Sequence, residues 1–285
     1  MKLKPYFLIL PGVGTIALLI GSALYVVIAQ SFGMYSMLGT DTAFTTEYWQ
    51  TMLSDPILWR SVSYSLRTSI LGTLGAVTLA YPIALWLQKE MPGKMAIIGT
   101  LRAPMFVPGL VAAFLLMNVI AYHGILNEGL IGLGIIDKPM RLANDDFGWS
   151  IVILQIWKNL PFALILISGS INSIRTDLLD AALDLGATKF ARFKQVIFPL
   201  TIPALQASSI LIFIGALGDF SFASVAGSRS AYSLSMLMNI TATQYYEWEN
   251  SAVVAMVIML IAGLSAVILT WMTKPLIANR KPIIK

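Results

Sequence analysis

The chain has no cysteine and a single histidine, and these two scarcities remove whole classes of chemistry. Without cysteine there is no disulfide framework, no thiolate metal site and no cysteine nucleophile. His123 cannot form a metal site alone, so we predict no bound metal. An intramembrane enzyme would need a nucleophile with a base, or a metal constellation, and the sequence leaves only a serine and lysine arrangement open for that role.

Charge is the next scarcity. Acidic and basic residues make up 12% of the 285 residues, against roughly 25% in an average soluble domain, whereas 57% of the chain is apolar. This composition predicts a protein built for lipid, organised as one membrane domain over residues 1–285. The net charge of +5 is interpreted as a consequence of loop topology, so no nucleic-acid partner is expected.

Six apolar windows are long enough to cross a bilayer, since a spanning helix needs about 20 residues. The predicted fold class is therefore all-α integral membrane, with six transmembrane helices and a core over residues 61–273. The apolar stretch after Lys4 is longer than the roughly 7–15 residues of a signal-peptide core, so we predict an uncleaved first helix. The six windows are 6–29, 69–87, 103–122, 151–171, 204–226 and 252–272, and the second and fifth are allowed to start at Ser61 and Thr201.

An even number of spans places both termini on one side, and lysine and arginine decide which side that is. With both termini in the cytoplasm, thirteen of the nineteen basic residues fall on the cytoplasmic side. We therefore predict a multi-pass protein of a bacterial inner membrane with cytoplasmic termini, in contact with membrane lipid. The thirteen are Lys2, Lys4, Lys89, Lys94, Arg102, Arg175, Lys189, Arg192, Lys194, Lys274, Arg280, Lys281 and Lys285, and the other six are Arg60, Arg67, Lys138, Arg141, Lys158 and Arg229.

The segment 173–201, between the fourth and fifth predicted spans, has a helical pattern of its own. Asp177 is predicted to cap a short amphipathic helix that Gly186 ends in a left-handed conformation. A second helix is predicted to start at Thr188 and to be broken by Pro199. The pattern alone leaves two alternatives open, a helix pair lying on the membrane or a docking element. One face of the first helix carries Leu178, Leu179, Ala182 and Leu185, and the other carries Asp177, Asp180 and Asp184.

Part of this segment resembles a known motif. It reads Asp180-Ala181-Ala182, three residues, Gly186, nine residues, then Val196-Ile197-Phe198-Pro199. This resembles the EAA loop of permease subunits in binding-protein-dependent ABC importers, which reads E-A-A, three residues, G, nine residues, then I-x-L-P. Both spacings match, and Asp180 stands in place of the glutamate. Further segments look like the spermidine/putrescine-type permeases, namely 81–84, 124–127, 133–137, 160–162 and 198–203.

The resemblance implies that the first helix of the segment is a coupling helix, which docks on a separate ATPase subunit and moves with it as a rigid lever. It also implies two copies of that ATPase and a periplasmic or lipid-anchored substrate-binding protein. The second permease half is either a second copy of this chain or, as the resemblance favours, a different homologous chain. ATP and magnesium would be bound by the ATPase, because this chain has no G-x-x-x-x-G-K-[ST] loop. We therefore expect a non-catalytic subunit that binds no cofactor. The implied coupling residues are Asp177, Leu178, Leu179, Asp180, Ala181, Ala182, Leu185, Gly186, Ala187 and Pro199.

Polar residues inside the predicted spans form a second candidate site, because such residues are costly in lipid and usually functional. They are predicted to line a translocation pathway. The alternative left open is structural, with Arg67 reaching the outer surface and Lys158 paired with Asp219 to hold two helices together. The group comprises Arg67, Asn118, Gln155, Lys158, Asn159 and Asp219.

The resemblance implies that the chain forms half of a pathway for a small solute delivered by an external binding protein. A polyamine-like solute is expected, with aminophosphonates, other small organic compounds and inorganic ions as alternatives, and the cations Arg67 and Lys158 favour an anionic solute. A different class, a six-span secondary transporter or channel driven by an ion gradient, would usually place carboxylates or broken helices at the midplane. Asp219 is the one carboxylate in a predicted span, and its predicted position is off-centre.

Overall fold

The computed structural model describes residues 4–37, 39 and 43–278, the side chains of 4–9 and 276–278 excepted. Lys2, Arg280, Lys281 and Lys285 lie outside the described residues. All regular secondary structure in the described ranges is helical, as predicted. The α-helices are α1 (Lys4–Ser31), α2 (Glu47–Ser54), α3 (Pro56–Trp86), α4 (Lys94–Arg102), α5 (Gly109–Ile120), α6 (Ile125–Gly132), α7 (Trp149–Asn172), α8 (Thr176–Asp184), α9 (Lys189–Arg192), α10 (Phe198–Leu217), α11 (Ser221–Ala226), α12 (Leu234–Thr243) and α13 (Trp248–Ala278).

Within the described chain, six helical stretches are long and apolar enough to cross a membrane, which confirms the predicted number. The second begins earlier than its apolar window because Asp55 caps it. The Asp55 carboxylate accepts a hydrogen bond from the Ile57 N–H at 2.8 Å, and Pro56 occupies the first turn, where no N–H is needed. The six stretches are Leu10–Ser31, Pro56–Trp86, Gly109–Gly132, Trp149–Asn172, Lys189–Leu217 and Trp248–Pro275.

The centre of the domain is a parallel contact between α3 and α7, which we call the α3–α7 seam. A Cβ atom built on Gly72 would lie 2.7 Å from Cβ of Gln155, and one on Gly75 would lie 2.4 Å from Cδ1 of Ile156. Lipid offers no hydrophobic drive for two apolar helices to meet, so close backbone approach through small residues supplies the packing energy. The seam is Thr68, Gly72 and Gly75 of α3 against Gly148, Gln155 and Ile156 around α7.

The remaining helices pack around this pair. At the end of the molecule that carries α8, which we call the lower end, the Tyr81 hydroxyl and the Thr201 hydroxyl are 2.7 Å apart and join α3 to α10. At the opposite, upper end, Leu58 of α3, Leu217 of α10 and Val253 of α13 belong to one buried cluster. α1 packs on α13 and exposes most of its described side chains.

The third span is discontinuous, whereas a continuous helix over 103–122 was predicted. Residues Ala103–Phe106 form a short 3-10 helix, Val107 is extended (φ −81°, ψ 122°), and α5 starts at Gly109. Two prolines explain the break. Pro108 has no N–H to donate and disfavours a helical conformation at the residue before it, and Pro104 sits in the first turn of the 3-10 helix.

The fifth span also differs from its predicted extent of 204–226. A π-helical turn over Phe193–Ile197 connects α9 to α10, so the helix runs past Pro199 instead of being broken there. Pro199 lies in the first turn of α10, directly after this wide turn. At the other end the helix stops at Gly218, and α11 follows as a separate short helix. The ten-residue apolar helix α12 was not predicted because it is too short to register as a span.

Candidate coupling and translocation sites

The start of α8 differs from the predicted one. Arg175 is the N-cap residue and makes no side-chain capping bond. Asp177 lies in the first turn instead, where its carboxylate accepts a 2.6 Å hydrogen bond from the Arg175 guanidinium. At this position the negative charge of Asp177 still interacts favourably with the positive end of the helix dipole. The prediction that Asp177 caps the helix is nevertheless wrong.

The end of α8 is built as the sequence predicts. Gly186 has φ +77°, the left-handed conformation that glycine adopts without cost. The Gly186 N–H donates to the Leu183 carbonyl at 2.8 Å, and the Ala187 N–H donates to the Ala182 carbonyl at 2.9 Å. This pair of bonds is a Schellman motif, which satisfies two carbonyls at the helix end. Thr188 caps α9 as predicted, accepting from the Ala191 N–H at 3.2 Å.

Apolar side chains on and beside α8 are exposed, and none of the helix residues is buried. The exposed fraction is 48% for Leu178, 49% for Leu183 and 88% for Leu185. Leu179 and Ala182 are half-buried, and Leu179 lines a cleft of about 390 Å³ against α3, α7, α9 and the π-turn. Of the other predicted coupling residues, Asp180 and Ala181 are exposed, and Ala187 and Pro199 are half-buried.

Lys158 lies in α7 and contacts the break in the third span. Its ammonium donates to the carbonyl of Pro104 at 2.9 Å, to that of Met105 at 3.1 Å and to that of Val107. Among the ion pairs of the described residues, none joins Lys158 to a carboxylate. The alternative of a Lys158 pair with Asp219 is therefore wrong for this conformation, because the third span's freed carbonyls hold the ammonium.

Asp219 lies at the break of the fifth span, just beyond α10. Its carboxylate accepts a 2.7 Å hydrogen bond from the Phe222 N–H, and its own carbonyl accepts from the Ser235 hydroxyl at 2.7 Å. Here the aspartate organises the turn between α10 and α11. A Cβ on Gly109 would lie 3.1 Å from Ser221, so the broken parts of the third and fifth spans pack together.

Arg67 faces the loop before α7 at the upper end. Its guanidinium donates to the Asp146 carbonyl at 3.1 Å and lies 4.4 Å from the centre of the Phe147 ring. The Asp146 carboxylate in turn accepts hydrogen bonds from the hydroxyls of Ser228 and Ser230, and these bonds hold its pKa below the ordinary value. Arg67 thus takes part in a contact between α3 and two upper loops.

Asp145, next to this contact, caps α7. Burial by itself raises the pKa of Asp145, but hydrogen bonds from the backbone N–H groups of Trp149, Ser150 and Gly148 outweigh it, and the net pKa is lowered. Sequence reasoning missed both aspartates as structural groups. An aspartate a few residues before an apolar helix is a recognisable capping signal, whereas nothing local in the sequence links Asp146 to Ser228.

The three remaining polar residues of the predicted pathway lie in two places. The Asn159 amide donates to the side-chain oxygen of Gln155 at 2.8 Å, so these two meet as predicted. Gln155 is buried in the α3–α7 seam. Asn118 is exposed and bonds the carbonyl of Phe114 in its own helix at 2.8 Å. Apart from the Gln155–Asn159 pair, the residues of the predicted pathway therefore have separate hydrogen-bond partners.

These features define a class. Six long apolar helical stretches, with a break before α5 at a carbonyl cluster and a break after α10 at an aspartate, are typical of a polytopic transport subunit. The family of binding-protein-dependent transport system inner membrane components matches residues 76–274. The chain therefore belongs to this family of ABC importer permease subunits, multi-pass proteins of the inner membrane.

Individual relatives agree with this. The spermidine/putrescine transport system permease protein PotB of Escherichia coli K12 is 30% identical over 217 residues, which cover 75% of this chain and 78% of that protein. The trehalose/maltose transport system permease protein MalF of Thermococcus litoralis is 28% identical over 198 residues, covering 68% and 66%. Most of this chain is thus comparable with permeases of more than one kind of importer.

The fold is also that of solved importers. A bacterial ABC transporter involved in the import of the acidic polysaccharide alginate superposes with a TM-score of 0.79 at 16% identity, covering 99% of this chain and 96% of that chain. A structure of the alginate transporter with its pentasaccharide-bound periplasmic protein gives a TM-score of 0.80. At this identity the likeness establishes the fold, that of a type I importer permease.

Proposed function

We propose that the chain forms half of the translocation pathway of an ATP-driven importer for a small, polyamine-like solute, and that α8 is the helix through which an ATPase drives it. The observation that carries this proposal is the construction of α8. Caps fix the end of α8 and the start of α9, yet the Leu183 and Leu185 side chains are 49% and 88% exposed. Well-defined helix ends combined with exposed leucine side chains indicate that the partner of α8 is another polypeptide.

The way α8 is anchored suits a lever. α8 contacts α9, which continues through the π-turn into α10 without interruption by a loop. Tyr81 of α3 contacts the rings of Phe193 and Phe198 edge-on, with ring centres 5.9 and 6.0 Å apart. A displacement of α8 would therefore reach two spans through packed elements rather than through a flexible connector.

Membership of this family supports the proposed assembly. Two ATPase copies would bind ATP and magnesium, a second homologous permease would complete the pathway, and a periplasmic or lipid-anchored protein would deliver the solute. Docking of α8 on a cytoplasmic ATPase requires both termini to be cytoplasmic, in agreement with the distribution of basic residues. This chain would then be a non-catalytic subunit.

A polyamine-like solute is favoured by the 30% identity to PotB over 217 residues. Counterflow or uptake measurements in vesicles that contain the assembled importer and its binding protein test this directly. We expect saturable, ATP-dependent uptake of labelled 1,4-diaminobutane or spermidine, and no uptake of an aminophosphonate. Uptake of the aminophosphonate alone would overturn the polyamine assignment while leaving the ABC mechanism in place.

The role of α8 is tested by a matched pair of glycine substitutions. Gly186 and Gly93 both have positive φ (+77° and +76°), and a Cβ on either would meet nothing within 4 Å. Gly186→Val and Gly93→Val therefore impose comparable backbone strain. We expect Gly186→Val to lose solute uptake while ATP hydrolysis continues, and Gly93→Val to keep the two coupled. Normal uptake by a correctly assembled Gly186→Val importer would contradict the proposed docking.

A further inference from the structure

The break in the third span leaves backbone carbonyls without helical partners. Pro108 has no N–H, so the Pro104 carbonyl four residues earlier lacks its α-helical donor and keeps one 3.3 Å hydrogen bond, from the Val107 N–H. Val107 is extended, so the carbonyls beside it do not take part in a continuous ladder of helical hydrogen bonds. In the hydrocarbon region each such group must be satisfied by something other than lipid.

Lys158 supplies as many N–H donors as there are carbonyls to bond. A lysine ammonium has three N–H donors and no acceptor, and here it donates to three carbonyls, those of Pro104, Met105 and Val107. We call these three oxygens the carbonyl triad. Lys158 is nine residues from the start of α7, or about 14 Å along the helix at about 1.5 Å per residue, which is near the middle of the 24-residue span Trp149–Asn172.

The triad is a site for a cation rather than an anion. Three carbonyl dipoles point their negative ends at one position, and in the described structure no carboxylate is paired with the ammonium that fills it. The presence of Lys158 in the membrane was interpreted above as favouring an anionic solute. The geometry reverses that interpretation, because the carbonyls select an ammonium and Lys158 is itself the ammonium that they select.

The triad is also reachable. Lys158 is half-buried, Met105 is 41% exposed and the neighbouring Phe106 is 83% exposed. Non-helical backbone at membrane depth is tolerated where it is buried in protein or lines a water-filled cavity, and at broken helices of transporters the unwound carbonyls coordinate cations. The triad has the exposure that such a cavity-lining position requires.

We propose that the carbonyl triad is an exchangeable binding site for a primary alkylammonium group. Lys158 fills it in this conformation, and an ammonium group of the transported solute replaces Lys158 during passage. This inference rests on the proposed function for the identity of the solute. The binding chemistry of the triad itself rests only on the geometry of the third span.

Chemical rescue in the assembled importer tests the site. Lys158→Ala removes the ammonium donor from three carbonyls, of which the Pro104 carbonyl keeps its bond from the Val107 N–H, so we expect the melting temperature to fall by roughly 5–10 °C. Added n-butylammonium should raise the melting temperature of Lys158→Ala and leave the wild type unchanged. Tetramethylammonium, which has the charge but no N–H, and n-butanol should have no such effect. A response of Lys158→Ala to n-butylammonium no larger than that of the wild type would overturn the proposal.

Lys94→Ala is the matched control, because it removes an ammonium that is paired with the Glu90 carboxylate at 3.2 Å. We expect no n-butylammonium rescue there. Rescue of both variants to the same extent would mean a general salt effect and would also overturn the proposal. Lys158→Met serves in the same experiment if Lys158→Ala does not assemble.

Exchange is measured on the wild-type importer by reductive methylation followed by mass spectrometry. With 1,4-diaminobutane present, Lys158 should leave the triad and its methylation rate should rise severalfold relative to that of Lys94. An unchanged rate, in an importer that demonstrably transports 1,4-diaminobutane, would overturn the exchange step. If the importer carries another solute, this measurement and the uptake assay both fail, whereas n-butylammonium rescue of Lys158→Ala is still expected.

Discussion

Along the α3–α7 seam polar and small residues are buried, whereas on α8 leucines are exposed. Thr68 and Gln155 are 4% and 2% exposed, while Leu183 and Leu185 are 49% and 88% exposed. A water-soluble domain shows the opposite arrangement. The two regions therefore obey different rules, and neither can be located by hydrophobicity alone.

The difference has a physical cause in each region. In the seam, lipid is as apolar as leucine, so what brings helices together is close approach, and small residues permit it. Thr68 satisfies its hydroxyl within its own helix, by donating to the Tyr64 carbonyl at 3.0 Å. On α8, apolar side chains stay uncovered because their partner, in our proposal, belongs to another chain. Side-chain size therefore explains which residues are buried in the seam, and a partner on another chain explains which residues are exposed on α8.

The substitution with the largest expected effect on stability tests the seam. Gly72→Val places a Cβ within 2.7 Å of the Gln155 Cβ, which cannot move without the α7 backbone, so we expect a loss of stability of about 3 kcal/mol. The melting temperature of the purified subunit in detergent measures it. Gly169→Val in α7, where a Cβ meets nothing within 4 Å, should cost much less. Equal losses for the two variants would show that the seam does not depend on size.

An intermediate effect is expected on α8, in binding rather than in folding. Leu185→Ser should change stability by less than about 0.5 kcal/mol, because the side chain is already exposed. Its affinity for the ATPase subunit should fall about tenfold if Leu185 is an anchor of the docked helix. Binding of the solubilised ATPase to the immobilised permease measures this. Leu133→Ser at the end of α6, where the leucine is 76% exposed, is the control and should leave ATPase binding unchanged.

The smallest effect concerns the cap that holds the upper end of α7. The pKa of Asp145 is lowered in the folded state, so its contribution to stability is present above the ordinary value of 3.8 and is lost as the pH falls through the lower, folded value. The difference in melting temperature between the wild type and Asp145→Asn should be constant from about pH 5 to 8 and shrink below about pH 4. A difference that grew on acidification would contradict the assigned direction.

Sequence reasoning located the spans well and the interruptions in them poorly. Apolar run length is a local property, and six runs were found because each crosses the bilayer on its own. The break at 107–108 was missed even though Pro104 and Pro108 are visible in the sequence, because a proline in a membrane helix is compatible with both a kinked and a broken helix. What decides between them is whether some other group bonds the freed carbonyls, and here that group is Lys158, which is 51, 53 and 54 residues from the three carbonyls.

The loop at 173–201 was predicted in more detail because its signals are local. Gly186 adopts the predicted left-handed conformation and Thr188 caps α9, since both depend on neighbouring backbone groups. The cap assigned to Asp177 was wrong because the carboxylate binds Arg175 instead. Pro199 failed as a helix breaker because a π-turn precedes it. No pattern in the sequence predicts the π-turn over Phe193–Ile197.

The amino-acid sequence by itself determined the lipid environment, the number of spans, the family motif around Asp180 and the end of α8, because each of these depends on residues close together in the chain. Tertiary structure alone decided the partners of the charged groups in and near the spans. Arg67 contacts the loop before α7, Lys158 fills the carbonyl triad and Asp219 holds the turn before α11. Such pairings depend on which helix faces lie against each other and at what height, and periodicity along one chain does not encode that.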